Sequence, residues 1–527
     1  MERLLAGGRT GPEALAELVP IALAATTAGQ KQRATVPGGG PVAVGAAASS
    51  GGPVAGSAAR PGGGPVAVGA AVPGGGPVAV GAAASSGGPV AGSAAAPSGG
   101  PVATAATVAA LGPLLPAEGV GAKAALRELT TAFVAGSVDP AEPWCAAHLH
   151  CPPLAVAAVA DLVTSAVNPS MDSWDQAPIA SDLERALTAE LAALCFPDAP
   201  EPDALITSGG TESNQLALLL ARERTGSVTP ICGINSHHSV ARAAWLLGLP
   251  QPIVVDCANE RIRPDALRAA LAETTGPTLV VATAGTTNAG AIDPLPVIAD
   301  LARAHNARLH VDAAYGGSLL FSPVHAPLLA GIERADTVAL DLHKLGWQPI
   351  PAGVLLAASG TDFAPLNLSA DYLNADDDLE AGLPDLLGRS LHTSRRADAF
   401  RIAVSLRALG RAGLAELIDR CLATAREVAA AVDAHPGLRL WQSPTLTTIL
   451  FRPVGADDDL VMALRRRLLE RGQAVLGRAR IANPDGTDSR WLKLTLLNPV
   501  ATAADYLPLL DLIADTARMP RATEVSS

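Results

Sequence analysis

Aromatic residues are scarce in this 527-residue chain: six Trp, six Phe and three Tyr amount to 3 % of it. A large core must therefore be built from aliphatic side chains, and hydrophobic residues at 49 %, much of it Ala and Val, supply them. Cysteine is sparse too. The six (Cys145, Cys151, Cys195, Cys232, Cys257, Cys421) are scattered without a CxxC pair, which fits reduced thiols in the cytoplasm better than a disulfide framework. Basic charge is in deficit, with 38 Lys and Arg against 50 Asp and Glu and a net charge of −12; no nucleic-acid surface is expected. Runs of about 18 apolar residues are absent, so no membrane span is expected. The first residues carry Arg3 and Arg9, but Glu2, Glu13 and Glu17 interrupt them, which argues against a signal peptide.

The length allows more than one domain. Residues 1–35 form an N-terminal segment, helical around Pro12 to Ala25. Residues 36–110 are dominated by Gly, Pro, Ala, Val and Ser. Pro37 to Ala59 recurs letter for letter as Pro73 to Ala95, Gly62 to Val72 is a partial copy, and Arg60 is the only charge from Pro37 to Val102. With no large side chain to build a packed face, this stretch is expected to be a disordered linker. Ordinary globular composition returns near Leu111. Residues 111–200 read as a helical segment, with helices at Lys123 to Ala135, Leu154 to Val167 and Ser181 to Cys195, the last opened by a capping box of Ser181 and Glu184. Residues 201–400 alternate strands and helices. Residues 401–520 read as a small α+β domain, with strands at Thr447 to Phe451 and Trp491 to Leu496 and a helix at Asp458 to Arg471.

In the 201–400 region the polar residues cluster after the strands, at Ala204 to Ile206, Ile231 to Asn235, Leu279 to Ala284, Arg308 to Asp312 and Thr337 to Leu342. A mostly parallel α/β sheet gathers such residues at its carboxyl edge. Thr207 to Asn214 opens a helix with small and hydroxyl residues, the composition of a phosphate cradle and equally of a plain N-cap. His237, after the second strand, has the place to stack on a flat ring or to make ordinary hydrogen bonds. Asp312 ends one strand and His343-Lys344 the next. A lysine and an aspartate so placed suit pyridoxal phosphate: the lysine forms the Schiff base and the aspartate keeps the ring nitrogen protonated. Arg395 and Arg396, at the entrance of the helix Ala399 to Leu409, suit a carboxylate or a phosphate, with a solvated basic patch as the plain reading. His148-Leu149-His150-Cys151-Pro152-Pro153 lacks a second ligand cluster at zinc spacing and reads as a pocket-lining loop, so no metal is expected.

Taken in order, His148 to Pro153, Asn168 to Pro178, Thr207 to Asn214, His237, Gly285-Thr286-Thr287, His310 to Tyr315, His343-Lys344 and Ser390 to Asp398 resemble the group II pyridoxal-phosphate-dependent amino-acid decarboxylases over about residues 125 to 510. The first two motifs and Tyr372-Leu373-Asn374 are most similar to the bacterial L-2,4-diaminobutyrate decarboxylase branch. The resemblance implies fold type I, the aspartate-aminotransferase type: a large domain with a mostly parallel seven-stranded sheet and a small α+β C-terminal domain, working as a homodimer on a small amino acid. It implies Lys344 as the Schiff-base lysine, Asp312 at the ring nitrogen, and His237 stacked on the ring. Gly210, Thr211 and His343 then lie near the phosphate, Thr286 and Ala314 near the ring, and Arg395, His150 and Tyr372 toward the substrate. Two departures stand out. Asp341-Leu342 precedes the His-Lys pair where the family usually has Asp-Pro or Asn-Pro, and no tyrosine lies between Leu373 and Arg395 to protonate the product carbon.

The activity so implied is release of CO2 and an amine from an L-amino acid, with diaminobutyrate favoured by the motifs and aromatic, acidic or branched-chain amino acids open. Another enzyme on the same fold, such as an aminotransferase or an aldehyde-forming oxidative decarboxylase, is the nearer rival. A non-catalytic interaction protein is the further one, and the intact Lys344 and Asp312 argue against it.

Overall fold

The structure is a computed structural model that describes residues 4–35, 99–367, 380–384, 386–482 and 487–518. Tyr372 and residues 36–98 of the repeat lie outside the described residues. Residues 4–24 and the described residues from 99 onward form one compact unit, and the site described below lies within it. No helix of the described residues is long and apolar enough to cross a membrane.

Thirteen strands occur among the described residues: β1 Asp203–Thr207, β2 Thr229–Gly233, β3 Ile253–Val255, β4 Cys257–Ala258, β5 Arg261–Ile262, β6 Thr278–Thr283, β7 Arg308–Asp312, β8 Thr337–Asp341, β9 Gly353–Ala357, β10 Leu438–Leu440, β11 Thr448–Pro453, β12 Gly477–Ala482 and β13 Asp488–Thr495. Seven build one sheet in the order β1-β9-β8-β7-β6-β2-β3. Neighbours from β8 to β3 are parallel; β9 runs against both β1 and β8. Every residue of β6, β8 and β9 is buried, as expected of a sheet covered on both faces, which is why these strands read as apolar runs rather than alternating ones. Helices Gly210–Thr225, Pro264–Glu273 and Leu295–Ala304 cover it. Thr207, Gly233, Thr283, Asp312 and Asp341 all end strands at one edge, and the first residue of β9, Gly353, pairs there with both Thr207 and Asp341.

A four-stranded antiparallel sheet, β10-β11-β13-β12, forms the smaller layer. It packs with helices Asp458–Glu470 and Ala503–Arg518 around Ile449, Leu464, Leu492 and Ile513. Helix Asp398–Ala434 joins the two layers and breaks at Gly410, where φ is 63°, so the helix expected to stop at Leu409 does change direction there. The fold is thus α/β of fold type I, with a small α+β C-terminal part.

Two expectations are corrected. The segment taken as linker to residue 110 ends in a helix, Gly100–Ala110; Pro101 suits its first turn and the alanine-rich run that follows suits its interior. Helix Pro178–Cys195 starts at a proline, three residues before the expected cap. Ser181 Oγ therefore donates back to Ala177 O at 2.7 Å from inside the helix, and Glu184 is spent on an ion pair with Arg395 instead of on the helix end.

Candidate active site

The carboxyl edge of the sheet opens on a cavity of about 360 Å³. Gly210, Thr211, His237, Asp312, Ala314, His343 and Lys344 line it together, as the sequence led one to expect. Lys344 follows β8 in a short turn and is about a fifth exposed. Its Nζ sits 2.9 Å from Asp341 Oδ2. Asp341 is buried, and its other oxygen has no hydrogen-bond partner. His343 accepts Ala352 N–H at Nδ1 (3.1 Å) and turns Nε2 toward Asp341 at 3.5 Å; burial lowers its pKa.

Asp312, 6 % exposed, accepts from Asn214 Nδ2 at 2.8 Å and from Ala314 N–H at 3.2 Å. His237 Nδ1 lies 2.8 Å from Ser239 Oγ, and burial lowers the ring's pKa against the opposing pull of Asp312. The 207–214 loop enters helix Gly210–Thr225, whose first N–H groups have no acceptor within the helix. Gly209 holds φ at 149°, and a Cβ there would stand 2.9 Å from His343 Cε1; one on Gly210 would stand 2.8 Å from Ala314 Cβ. Only glycine leaves this entrance open. Glu212 accepts Ser208 N–H at 2.7 Å and so closes the outer side of the turn.

The remaining expected residues are placed differently. Thr286 is buried in its own turn, its Oγ1 accepting Ala291 N–H, and Gly285 and Thr287 line the cavity in its stead. His148 and Leu149 reach the cavity rather than His150, and Cys151 anchors the loop by donating Sγ–H to His343 O at 3.2 Å. Arg395 does not line the cavity. Its guanidinium makes two 2.7 Å contacts with Glu184, both side chains nearly buried. Tyr315 lines the cavity, but its hydroxyl is engaged by Thr447 N–H and by the hydroxyls of Thr447 and Thr448, and burial pushes its pKa up to about 12.

Sequence reasoning missed Lys493, which lines the cavity from β13, 6 % exposed, with Nζ donating to Thr287 O at 3.0 Å. Burial lowers its pKa. Opposite it in the sheet is Gly477, where a Cβ would come within 2.8 Å of Lys493 Cε and 2.5 Å of Ala147 O. A lysine set in the apolar run Trp491 to Leu496 was the available signal. Asp341 was missed as the partner of Lys344, and Asn214 as the partner of Asp312.

An amine (Lys344), a carboxylate (Asp312) lining the same cavity, and a glycine-opened helix N-terminus match the aldehyde, ring nitrogen and phosphate of pyridoxal phosphate in number and chemistry. Fold and site together define a pyridoxal-phosphate enzyme of fold type I. Residues 126–454 match the family model described as the pyridoxal-dependent decarboxylase conserved domain, and the chain belongs to that family. It is 42 % identical over 417 residues to an L-2,4-diaminobutyrate decarboxylase of Rhizobium meliloti, covering 76 % of this chain and 83 % of the relative. It is 31 % identical to the human acidic amino acid decarboxylase GADL1, covering 67 % of this chain and 73 % of that one. Among solved structures it resembles the glutamate decarboxylase domain of a Vibrio parahaemolyticus protein described as diaminobutyrate-pyruvate transaminase and L-2,4-diaminobutyrate decarboxylase. That match has 32 % identity and a TM-score of 0.69, covering 80 % of this chain and 91 % of that one. The protein is a pyridoxal-phosphate-dependent amino-acid decarboxylase.

Proposed function

We propose that this enzyme converts L-2,4-diaminobutyrate to CO2 and the corresponding diamine. Bound pyridoxal phosphate supplies an aldehyde that links to an amine and a ring that takes up the electron pair left when CO2 departs. Lys344 is the amine that holds it. Asp312, kept in place by Asn214 and Ala314, holds a proton at the ring nitrogen. The Gly209–Thr211 turn faces the phosphate. Lys493, the second cation lining the cavity, takes the substrate carboxylate, and Arg395 braces the wall through Glu184 in place of the role first expected of it. His237, which lines the same cavity, would deliver a proton to the carbon that lost CO2; Tyr315 has its hydroxyl engaged by Thr447 and Thr448, and Tyr372, the other candidate, lies outside the described residues.

The observation that carries the chemistry is Lys344 and Asp312 in one cavity; the substrate rests on the relatives named for it. Decarboxylation of an acidic amino acid is a second reading, favoured by Lys493 and His148 side by side at the mouth. CO2 release by the purified, cofactor-loaded protein across a panel of amino acids, with the amine identified by mass spectrometry, separates them. Release from diaminobutyrate alone supports the first; release from glutamate, aspartate or cysteine sulfinate alone replaces it with the second.

We also infer a cytoplasmic homodimer. All six cysteines are free, which suits a reducing compartment. Helix Ala122–Ala135 buries none of its residues, and Leu126, Leu129 and Phe133 lie exposed on one face, at 68, 46 and 75 %. A second copy is the occupant proposed for that face. Leu126→Asp with Phe133→Asp then halves the mass seen by sedimentation velocity; an unchanged mass removes this face from the interface.

A further inference from the structure

We propose that Asn214 is a positioning residue that orients the Asp312 carboxylate and, through Ser239, fixes the tautomer of His237. The inference rests on the roles given above to Asp312 and His237 and goes beyond them to a residue that touches neither substrate nor cofactor.

Asn214 is completely buried on helix Gly210–Thr225. Its amide nitrogen stands 2.8 Å from both Asp312 Oδ2 and Ser239 Oγ, and its carbonyl oxygen 2.8 Å from His310 Nε2. A carboxylate accepts and cannot donate, so the edge of the amide that meets Asp312 is the NH2 edge. The two amide hydrogens are then both spent, one on Asp312 and one on Ser239, and the carbonyl is left to face His310.

Everything downstream follows from that choice. His310 must donate from Nε2. Its Nδ1 accepts from the Thr337 hydroxyl at 2.8 Å, and complete burial, which pushes its pKa down to about 4, keeps the ring neutral. On the other side Ser239 Oγ is used as an acceptor, so its own hydrogen goes to His237 Nδ1, 2.8 Å away. His237 Nδ1 is therefore an acceptor, and the proton of the neutral ring sits on Nε2, the nitrogen not engaged by Ser239. The alternative, with the amide turned over, sets two oxygens against each other at Asp312 and leaves Ser239 to find another donor. A buried network of this kind is stable only when each member is satisfied, and here one amide satisfies three.

The functional consequence is that the proton donor and the carboxylate at the ring nitrogen are set by the same side chain. The second histidine, His310, is built in as a neutral donor and brings no positive charge to compete for Asp312.

Nitrogen-15 NMR of the cofactor-loaded full chain, labelled at the histidine ring nitrogens, reads the tautomers directly. His237 and His310 are both expected to carry the proton at Nε2. In Ser239→Ala, His237 Nδ1 keeps only the longer bond from the backbone N–H of residue 239, 3.4 Å away, so its ring nitrogen resonances shift and the Nε2–H tautomer is less dominant while His310 keeps its own. The kcat of this variant falls about tenfold with little change in KM, the scale typical when the partner that orients a functional imidazole is removed. In Asn214→Leu both histidines change. A wild-type His310 with its proton on Nδ1, or a His237 spectrum unmoved by Ser239→Ala, overturns the proposal; both readings stand even if Asn214→Leu fails to fold. Failure of the underlying assignment is seen separately: an Asp312→Ala protein with normal turnover and cofactor absorbance removes Asp312 from the ring nitrogen while the wild-type tautomers remain as measured.

Discussion

The floor of the cavity and its mouth are held by different means. At the floor, Asp312, Asn214, His310 and Ser239 are all at most 6 % exposed and tied to one another at 2.8 Å. They come from strand ends and helix entrances of a single sheet. At the mouth, His148, Leu149, Ile350 and Lys493 come from an N-terminal loop, the turn before β9 and the small C-terminal sheet. Ile350 is 63 % exposed, and Lys493, though as buried as Asp312, has its Nζ bonded among the described residues to one backbone carbonyl, that of Thr287. The floor is therefore suited to chemistry that tolerates no displacement, and the mouth to telling substrates apart.

The largest effect belongs to the floor. Lys344→Ala is expected to lose both turnover and the absorbance of covalently held cofactor, and borohydride should no longer trap cofactor on the protein; normal turnover in this variant would remove Lys344 from its role. The second test is acid. His310 is held neutral in the folded protein, its pKa about 4 against 6.5 for a free ring, so the unfolded chain binds the extra proton first. Stability then falls as pH drops through and below the range in which a free imidazole titrates, about 6.5. Urea unfolding between pH 7 and 4 should show this slope in the wild type and a flatter one in His310→Gln; equal slopes would mean that the floor does not exclude that proton. The smallest effect belongs to the mouth: Lys493→Met should raise KM about tenfold, the worth of one charge-assisted hydrogen bond, and leave kcat within a few-fold. A loss confined to kcat would place Lys493 in the chemistry and blur the distinction between the two regions.

The same division governs what the sequence disclosed. Asp312, Lys344, His237 and the Gly210-Thr211 turn were legible because strand ends in a parallel sheet converge at one edge whatever the details of packing. Glu184 was misread because a capping box and a buried ion pair use the same residue type, and only the position of Pro178 decides between them. Arg395 was misread for a related reason: an arginine at a helix entrance looks free until its partner, 211 positions away, is known. The loop from His148 to Pro153 was legible as pocket-lining, though it is His148 and Leu149 rather than His150 that reach the cavity; Lys493 depends on how the small C-terminal layer docks, which no local pattern encodes. The strands β3 and β10 escaped notice because three residues give little periodicity to detect; β12 does alternate, with Arg478 and Arg480 outward, but Gly477 and Ala479 make its apolar side weak.

Gly477 and Lys493 face each other across a strand pair with no room for a methyl group between them. Position 477 is closed twice over, by the stem of Lys493 and by the backbone oxygen of Ala147, which a Cβ would meet at 2.5 Å. Shortening residue 493 lifts only the first restraint. Whatever variation this wall of the cavity accepts therefore falls on 493, while 477 stays glycine as long as the backbone at 147 lies where it does.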